Sequence, residues 1–262
     1  MDSNSGHLQF PREIAPGVYW LGGCLSIPHN GRQVHSHNSC YIVQGEQHAI
    51  LIDTGYPDDW PSIECQLETV LGNQPLDFVL PTHPEIPHSG NIPRLIEKYP
   101  QIQVIGDLRG YSLLYPEHTE YFFSKKAGDS IELGGTRIIF VNAVLHDLPN
   151  TLWAYDTGSK VLFSSDGLSF SHGHAVGECV LFTTELASYP GIEEVSFFSE
   201  RAFYWSQFVD ARTYFRELRK LLTTYPAKMI AGCHSNVIVN PEQIIPYIEK
   251  GMVASWRGAS DR

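Results

Sequence analysis

Short apolar runs separated by polar turns fill the chain, and their spacing alternates between strand-like and helix-like periods. Gly17-Val18-Tyr19-Trp20-Leu21, Ser39-Cys40-Tyr41-Ile42-Val43 and His48-Ala49-Ile50-Leu51-Ile52 read as strands, with Gln44-Gly45-Glu46-Gln47 as the hairpin turn between the last two. Ile63, Leu67, Val70 and Leu71 recur at helical spacing and predict a helix over 61–71. Residues 77–82, apolar through Phe78-Val79-Leu80, are expected to be a strand buried on both faces. Ile92, Leu95 and Ile96 then predict a helix over 91–99, and 102–105 restarts a strand.

A second run of strands begins near residue 125: 130–133, 136–141, 152–155 and 161–164, the last two joined by the turn Asp156-Thr157-Gly158-Ser159-Lys160. Residues 185–222 read as mostly helical, with Phe208, Ala211, Phe215, Leu218 and Leu222 on one face. A buried strand over 228–231 and a helix over 241–250 close the chain. The pattern is α/β, and no low-complexity linker interrupts it. The expectation is one domain over 1–262 made of two similar halves, approximately 14–124 and 125–250.

Composition narrows the function. The 262 residues are 42% hydrophobic and 12% aromatic, enough for a sizeable core, so bulk disorder is excluded. Eighteen Lys and Arg against 29 Asp and Glu give a net charge of −11, and no basic block exceeds a pair such as Lys125-Lys126, which argues against nucleic acid as a partner. No apolar stretch approaches a membrane span, and the start, Met1-Asp2-Ser3-Asn4-Ser5-Gly6-His7, lacks the features of a secretory signal. A cytoplasmic protein without membrane contact is expected. The five cysteines, Cys24, Cys40, Cys65, Cys179 and Cys233, are scattered and form no C-x-x-C pair, so neither a disulfide framework nor a zinc knuckle is indicated. Only Cys233, beside His234 at a strand end, stands apart.

The chemistry concentrates at strand ends. Thr82-His83-Pro84-Glu85-Ile86-Pro87-His88-Ser89-Gly90-Asn91 places three potential metal ligands within six residues, directly after an apolar run. Alternation along an extended segment points His83 and Glu85 the same way, and the following turn can return His88 towards them. His146 after Ala143-Val144-Leu145, Asp166 after Val161-Leu162-Phe163-Ser164-Ser165 and His234 after Met229-Ile230-Ala231-Gly232-Cys233 all fall where buried strands stop. One such residue alone is as well explained by a hydrogen-bonded core group, but three at separate strand ends, added to the first cluster, point to a metal.

The order His83-x-Glu85-x-x-His88, His146, Asp166, His234, with Val18-Tyr19-Trp20-Leu21-Gly22 and Ile52-Asp53-Thr54-Gly55, resembles the metallo-β-lactamase superfamily over about residues 14–239. The resemblance implies an αββα four-layer sandwich with metals at one edge between the halves. Hydrolytic members carry His-x-His-x-Asp-His, whereas flavodiiron and related oxygen-binding di-iron proteins carry glutamate at the second position, as Glu85 does here. By the same resemblance His83, Glu85 and His146 hold one metal, Asp166 bridges, and His88 and His234 hold the other. A carboxylate in place of an imidazole suits iron or manganese better than zinc.

One position departs from the pattern: Pro87 stands where the family has aspartate. An asymmetric di-iron site with an open second metal ranks first, ahead of a single occupied metal and a non-catalytic scaffold. Around the site, His35, His37, His172 and His174 are candidates for lining it or supporting its ligands, Asp53 for holding the Asp-Thr-Gly turn, and Phe203-Tyr204-Trp205 for core or pocket wall. The favoured function is a non-haem di-iron oxidoreductase binding or activating O2. The chain ends at Arg262 without a flavodoxin-like domain, so electrons are expected from a separate donor protein or from a small-molecule substrate. A hydrolase of an ester, thioester or lactone is the alternative, opposed by Glu85 and Pro87. An oxygen-sensing module without turnover shares every ligand. Relatives of this architecture often pair, which makes a homodimer an expectation too.

Overall fold

The computed structural model describes residues 9–175 and 178–259, and the polar stretch 1–7 read above lies outside them. The first sheet runs in chain order: β1 (Arg12–Ala15), β2 (Val18–His29), β3 (Arg32–Gln44), β4 (Ala49–Ile52), β5 (Phe78–Leu80), β6 (Gln103–Gly106) and β7 (Phe122–Ser124). β1 to β4 are antiparallel and β4 to β7 parallel. Parallel neighbours need crossovers. α1 (Trp60–Leu71) joins β4 to β5, α2 (Ile86–Ser89) and α3 (Ile92–Lys98) join β5 to β6, and α4 (Tyr111–Leu114) precedes β7.

The second sheet contains β8 (Ser130–Glu132), β9 (Arg137–Asn142), β10 (Leu152–Asp156), β11 (Val161–Ser165), β12 (Met229–Gly232) and β13 (Ile238–Val239), in the order β13-β12-β11-β10-β9-β8. Only β11 and β12 are parallel, and α5 (Ile192–Ala202) and α6 (Arg212–Thr224) lie in their connection; α7 (Pro241–Ala254) follows β13.

Strand alternation assigns each side chain to a layer. Ile50 and Ile52 of β4 join Phe140, Ala154 and Phe163 in a core between the sheets, whereas Ala49 and Leu51 pack with Ile63, Leu67 and Leu95 of α1 and α3. On the other side Trp153, Tyr155, Leu162 and Ile230 pack with Val195, Phe215 and Ile244 from α5, α6 and α7. Each fully buried Leu, Ile or Phe contributes about 1.5–3 kcal/mol. Three apolar clusters thus stack helix, sheet, sheet, helix, which is the expected αββα sandwich.

Two readings from the sequence needed correction. The helical face over 185–222 begins later than its spacing suggested: 185–191 is not helical, a short 3-10 turn covers Tyr204–Gln207, and Phe208 is 64% exposed. The helical path is interrupted between that turn and α6, so Phe208 is out of phase with Ala211, Phe215 and Leu218, which are buried. The β2–β3 hairpin also runs far beyond its apolar half, in unbroken register from Val18↔Val43 to His29↔Arg32. Its tip is Asn30-Gly31, both at positive φ (48° and 78°), the two-residue turn that matches strand twist.

The topology brings the site together. β4 and β5 run the same way in one sheet, as do β9, β11 and β12 in the other. The ends of β5 and β11 meet across the sandwich, where Thr82 Oγ1 and Ser165 Oγ are 2.7 Å apart. Strand C-terminal ends are where open α/β sheets present their reactive side chains.

Candidate metal centre

Asp53 follows β4 directly, in the left-handed region (φ 60°), a conformation that aspartate tolerates. The turn buries its carboxylate and aims it at the neighbouring strand end. Oδ1 accepts from Thr82 N (2.8 Å) and Thr82 Oγ1 (2.7 Å), and Oδ2 lies 2.9 Å from His88 Nδ1.

These contacts fix the direction of every proton in the chain of hydrogen bonds. The Thr82 hydroxyl donates to Asp53, so its oxygen accepts from Ser165 Oγ; the Ser165 oxygen then accepts from His83 Nδ1, 3.0 Å away. His234 Nδ1 donates to the carbonyl of His37 at 2.7 Å. In His83, His88 and His234 alike, Nδ1 is committed to an acceptor, and Nε2 is the nitrogen left for a metal or, without one, a proton. That is how metal-binding imidazoles are set up.

The three Nε2 atoms turn to Asp166. His88 Nε2 is 2.9 Å and His234 Nε2 3.2 Å from Asp166 Oδ1, whereas His83 Nε2 is 3.9 Å from Oδ2. The two carboxylate oxygens therefore face different imidazoles. His83 Nε2, His88 Nε2 and Asp166 Oδ1 are buried without a hydrogen-bond partner, because the close His88–Asp166 approach is not aligned as a hydrogen bond. Buried polar atoms without partners cost about 1–3 kcal/mol each. A cation on which these lone pairs converge would remove that cost, so the residues fit a metal.

Electrostatics agrees. Burial alone would raise Asp166, yet His88, His234 and His83 hold its carboxyl well below the usual range. Burial would lower His88, yet Asp53, Cys233 and Asp166 hold its imidazolium well above the usual value; Cys233 and Asp166 do the same for His234. Without a metal, protons supply the positive charge this cluster demands.

Glu85, half exposed, has Oε2 3.8 Å from His83 Nε2, and that imidazole holds it below its usual value. His146 does not join the grouping. Its Nδ1 is 3.1 Å from the carbonyl of Ala143, and its own carbonyl accepts from Trp205 Nε1. The structure adds Asp147, which the sequence reading passed over: Oδ2 is 3.9 Å from His83 Nε2, and His83, Glu85, Asp147 and Asp166 offer ligand atoms within 4.8 Å of one another. Burial raises Asp147, and Asp166 and Glu85 add to this against the pull of His83. Its position directly after His146 was the available signal.

Pro87 occupies the first turn of α2, where the missing N–H costs nothing. With Glu85, Asp166 and His234 it lines a cavity of ≈ 510 Å³ that also touches Leu25 and Phe198.

The remaining histidine candidates divide. His37 supports His234 through its carbonyl, but its ring turns away, with Nε2 2.5 Å from the carbonyl of Cys179. It stacks on His172 (centroids 4.6 Å, 17°). Burial pushes His37 down to about 3 and, with three neighbouring imidazoles, His172 down to about 2, so both rings are neutral. His35 and His174 also gather there, their rings 3.9 Å apart.

Known proteins resemble this chain in sequence and in fold. A family model described as the metallo-beta-lactamase superfamily matches residues 35–234. The chain is 28% identical over 252 residues to the coenzyme F420H2 oxidase of Methanothermobacter thermautotrophicus, covering 89% of this chain and 59% of that one. It is 30% identical over 221 residues to the anaerobic nitric oxide reductase flavorubredoxin of Vibrio vulnificus, covering 80% of this chain and 42% of the relative. The chain thus spans less than two thirds of these relatives' length. Among solved structures, rubredoxin oxygen:oxidoreductase from Desulfovibrio gigas superposes with a TM-score of 0.71 at 18% identity, over 93% of this chain and 61% of that one. At that identity the likeness speaks for the fold.

Proposed function

Since the chain belongs to the metallo-β-lactamase superfamily, we propose that it is a non-haem di-iron oxidoreductase that reduces a small oxidant, O2 or NO, at the Asp166 site. The observation that carries this reading is the set of three imidazoles whose Nδ1 atoms are committed to acceptors and whose Nε2 atoms turn to one buried carboxylate. His83, Glu85 and His146 would hold one metal, Asp166 would bridge, and His88 and His234 would hold the other. His146 has its Nδ1 on a carbonyl as His234 does, which leaves Nε2 as its ligand atom. The names of the Methanothermobacter and Vibrio relatives, an oxidase and a nitric oxide reductase, point the same way.

The donor set combines four imidazoles with two carboxylates, and the carboxylate at Glu85 in place of an imidazole suits iron better than zinc. Iron bound there supplies one-electron redox chemistry and a position for O2 or NO. The chain's own residues set the conditions. Asp53 fixes the His88 tautomer, and through Thr82 and Ser165 it fixes that of His83. Pro87 brings no ligating atom to the cavity side, leaving the second position short of one anionic donor. Electrons come from a redox donor, either a separate protein or a further domain.

The test is gas uptake by anaerobically iron-loaded protein under an artificial electron donor. O2 or NO consumption is expected, and Asp166→Ala, checked for fold, is expected to abolish it. Full iron loading with no uptake of either gas would overturn the reading.

A second reading draws on the cavity. At ≈ 510 Å³, with Leu25, Ile27, Phe197 and Phe198 in its wall, it exceeds the needs of a diatomic gas and suits a small organic molecule oxidised beside the metals. Oxygen uptake that requires such a compound and yields its oxidised product would favour that version.

A further inference from the structure

The histidines turned away from Asp166 converge on two cysteines. β2 and β3 pair Cys24 with His37 and Ser26 with His35, which puts Cys24, His35 and His37 on one face of the hairpin. His35 pairs in turn with His172 through two backbone hydrogen bonds of 2.8 and 2.9 Å, so His172 and His174 extend the same face. Cys179 arrives from the following segment. The ligand atoms of Cys24, His174 and Cys179 lie within 4.8 Å of one another, as do those of Cys24, His37 and His172.

We propose that Cys24, Cys179 and His174 bind a zinc-class divalent ion. Two thiols and an imidazole are the donor set of a zinc site with one position left open. Zn–S near 2.3 Å and Zn–N near 2.0–2.1 Å place sulfur and nitrogen roughly 3.5 Å apart around one ion. Cys24 Sγ is 3.2 Å from His174 Nε2 and 3.5 Å from His35 Nδ1. The His174 tautomer is fixed as well, since Nδ1 is 2.8 Å from the carbonyl of Ala175 and Nε2 therefore presents its lone pair to the sulfur. Behind this face, His172 is 5% exposed with neither ring nitrogen hydrogen-bonded. A polar ring buried among ligand types without a partner marks a place built for something other than packing. Cys24 and Cys179 are only half-buried, which leaves a path for the ion.

Soft sulfur donors distinguish this site from the carboxylate-rich one around Asp166. Cys24 also lines the cavity that Asp166 and His234 share, so the ion would tie His174 and Cys179 to the hairpin that walls that cavity.

Cobalt(II) titration of the full chain, reduced and metal-free, tests the assignment, because only thiolate ligands give the intense sulfur-to-cobalt charge-transfer absorption. Cobalt in excess of the two positions at Asp166 is expected to produce the band and zinc to displace it. Cys24→Ser with Cys179→Ser should lose the band, Cys233→Ser should keep it, and His174→Ala, which retains both thiols, should bind cobalt more weakly. A band that survives the double substitution or vanishes in Cys233→Ser would overturn the proposal. So would reduced protein that gives no band while air converts Cys24 and Cys179 to a disulfide detected by mass spectrometry.

Discussion

Asp53→Asn isolates the step by which the fold prepares His88. Asparagine tolerates the left-handed backbone at φ 60°, so the turn is not strained, and its carbonyl oxygen can still accept from Thr82 N and Oγ1. Its amide nitrogen then faces His88 Nδ1 in place of Oδ2, now 2.9 Å away. A donor facing a donor forces the imidazole to move its proton to Nε2, which is the atom turned to Asp166. The lone pair that should bind metal is then occupied. Loss of a residue supporting a ligand in this way costs about 10–100-fold in metal affinity, or ~1.4–2.7 kcal/mol. His83 is ordered through Ser165 and Thr82 and should be spared. Anaerobic iron(II) titration against a chromophoric chelator is the assay, with circular dichroism to confirm the fold. One of two sites weakened by that factor, with the other unchanged, is expected. A folded Asp53→Asn protein that binds both metals within threefold of the parent would refute the tautomer argument.

Further outcomes follow from neighbouring residues. An added Cβ at Gly167 would lie 2.3 Å from Trp153 Cζ2 and 2.9 Å from Ser164 O, so Gly167→Ala should cost about 1–3 kcal/mol of urea stability and loosen metal binding at adjacent Asp166; an unchanged midpoint would contradict this. His146→Gln is expected to leave about one metal per chain, and Asp147→Asn to leave both, by elemental analysis; the reverse result would assign the ligand to Asp147, which the geometry places beside His83. Pro87→Asp should supply the carboxylate that the cavity side lacks and tighten the second metal by about tenfold or more in the same chelator titration, whereas weaker binding would show that the α2 turn cannot present it.

The apolar runs made most of the fold legible, because buried strands carry unbroken Val, Ile, Leu and Phe and stop abruptly at polar residues. The places where they stop, after Ile52, Leu80, Ser165 and Gly232, are where Asp53, His83, Asp166 and His234 stand. What escaped was polar or long-range. The outer half of the β2–β3 hairpin mixes exposed and buried positions, and the Asn30-Gly31 turn that fixes its register was the overlooked signal. β1, β7 and β13 have four, three and two residues, too few for a period to show. The gathering of Cys24, His35, His172 and His174 depends on a bridge between residues 35 and 172, which no local pattern encodes. Phe208 failed for the opposite reason, since its spacing from Ala211 and Phe215 fits a helix that begins only after it.

The Asp166 site is proposed to hold a pair of irons. Elemental analysis of protein produced with iron and kept anaerobic, joined to absorption spectra before and after O2 or NO, tests it most directly. About two irons per chain at the Asp166 site and a band that responds to the gas are expected, both lost in Asp166→Ala. Zinc at that site, or iron that neither gas perturbs, would contradict it.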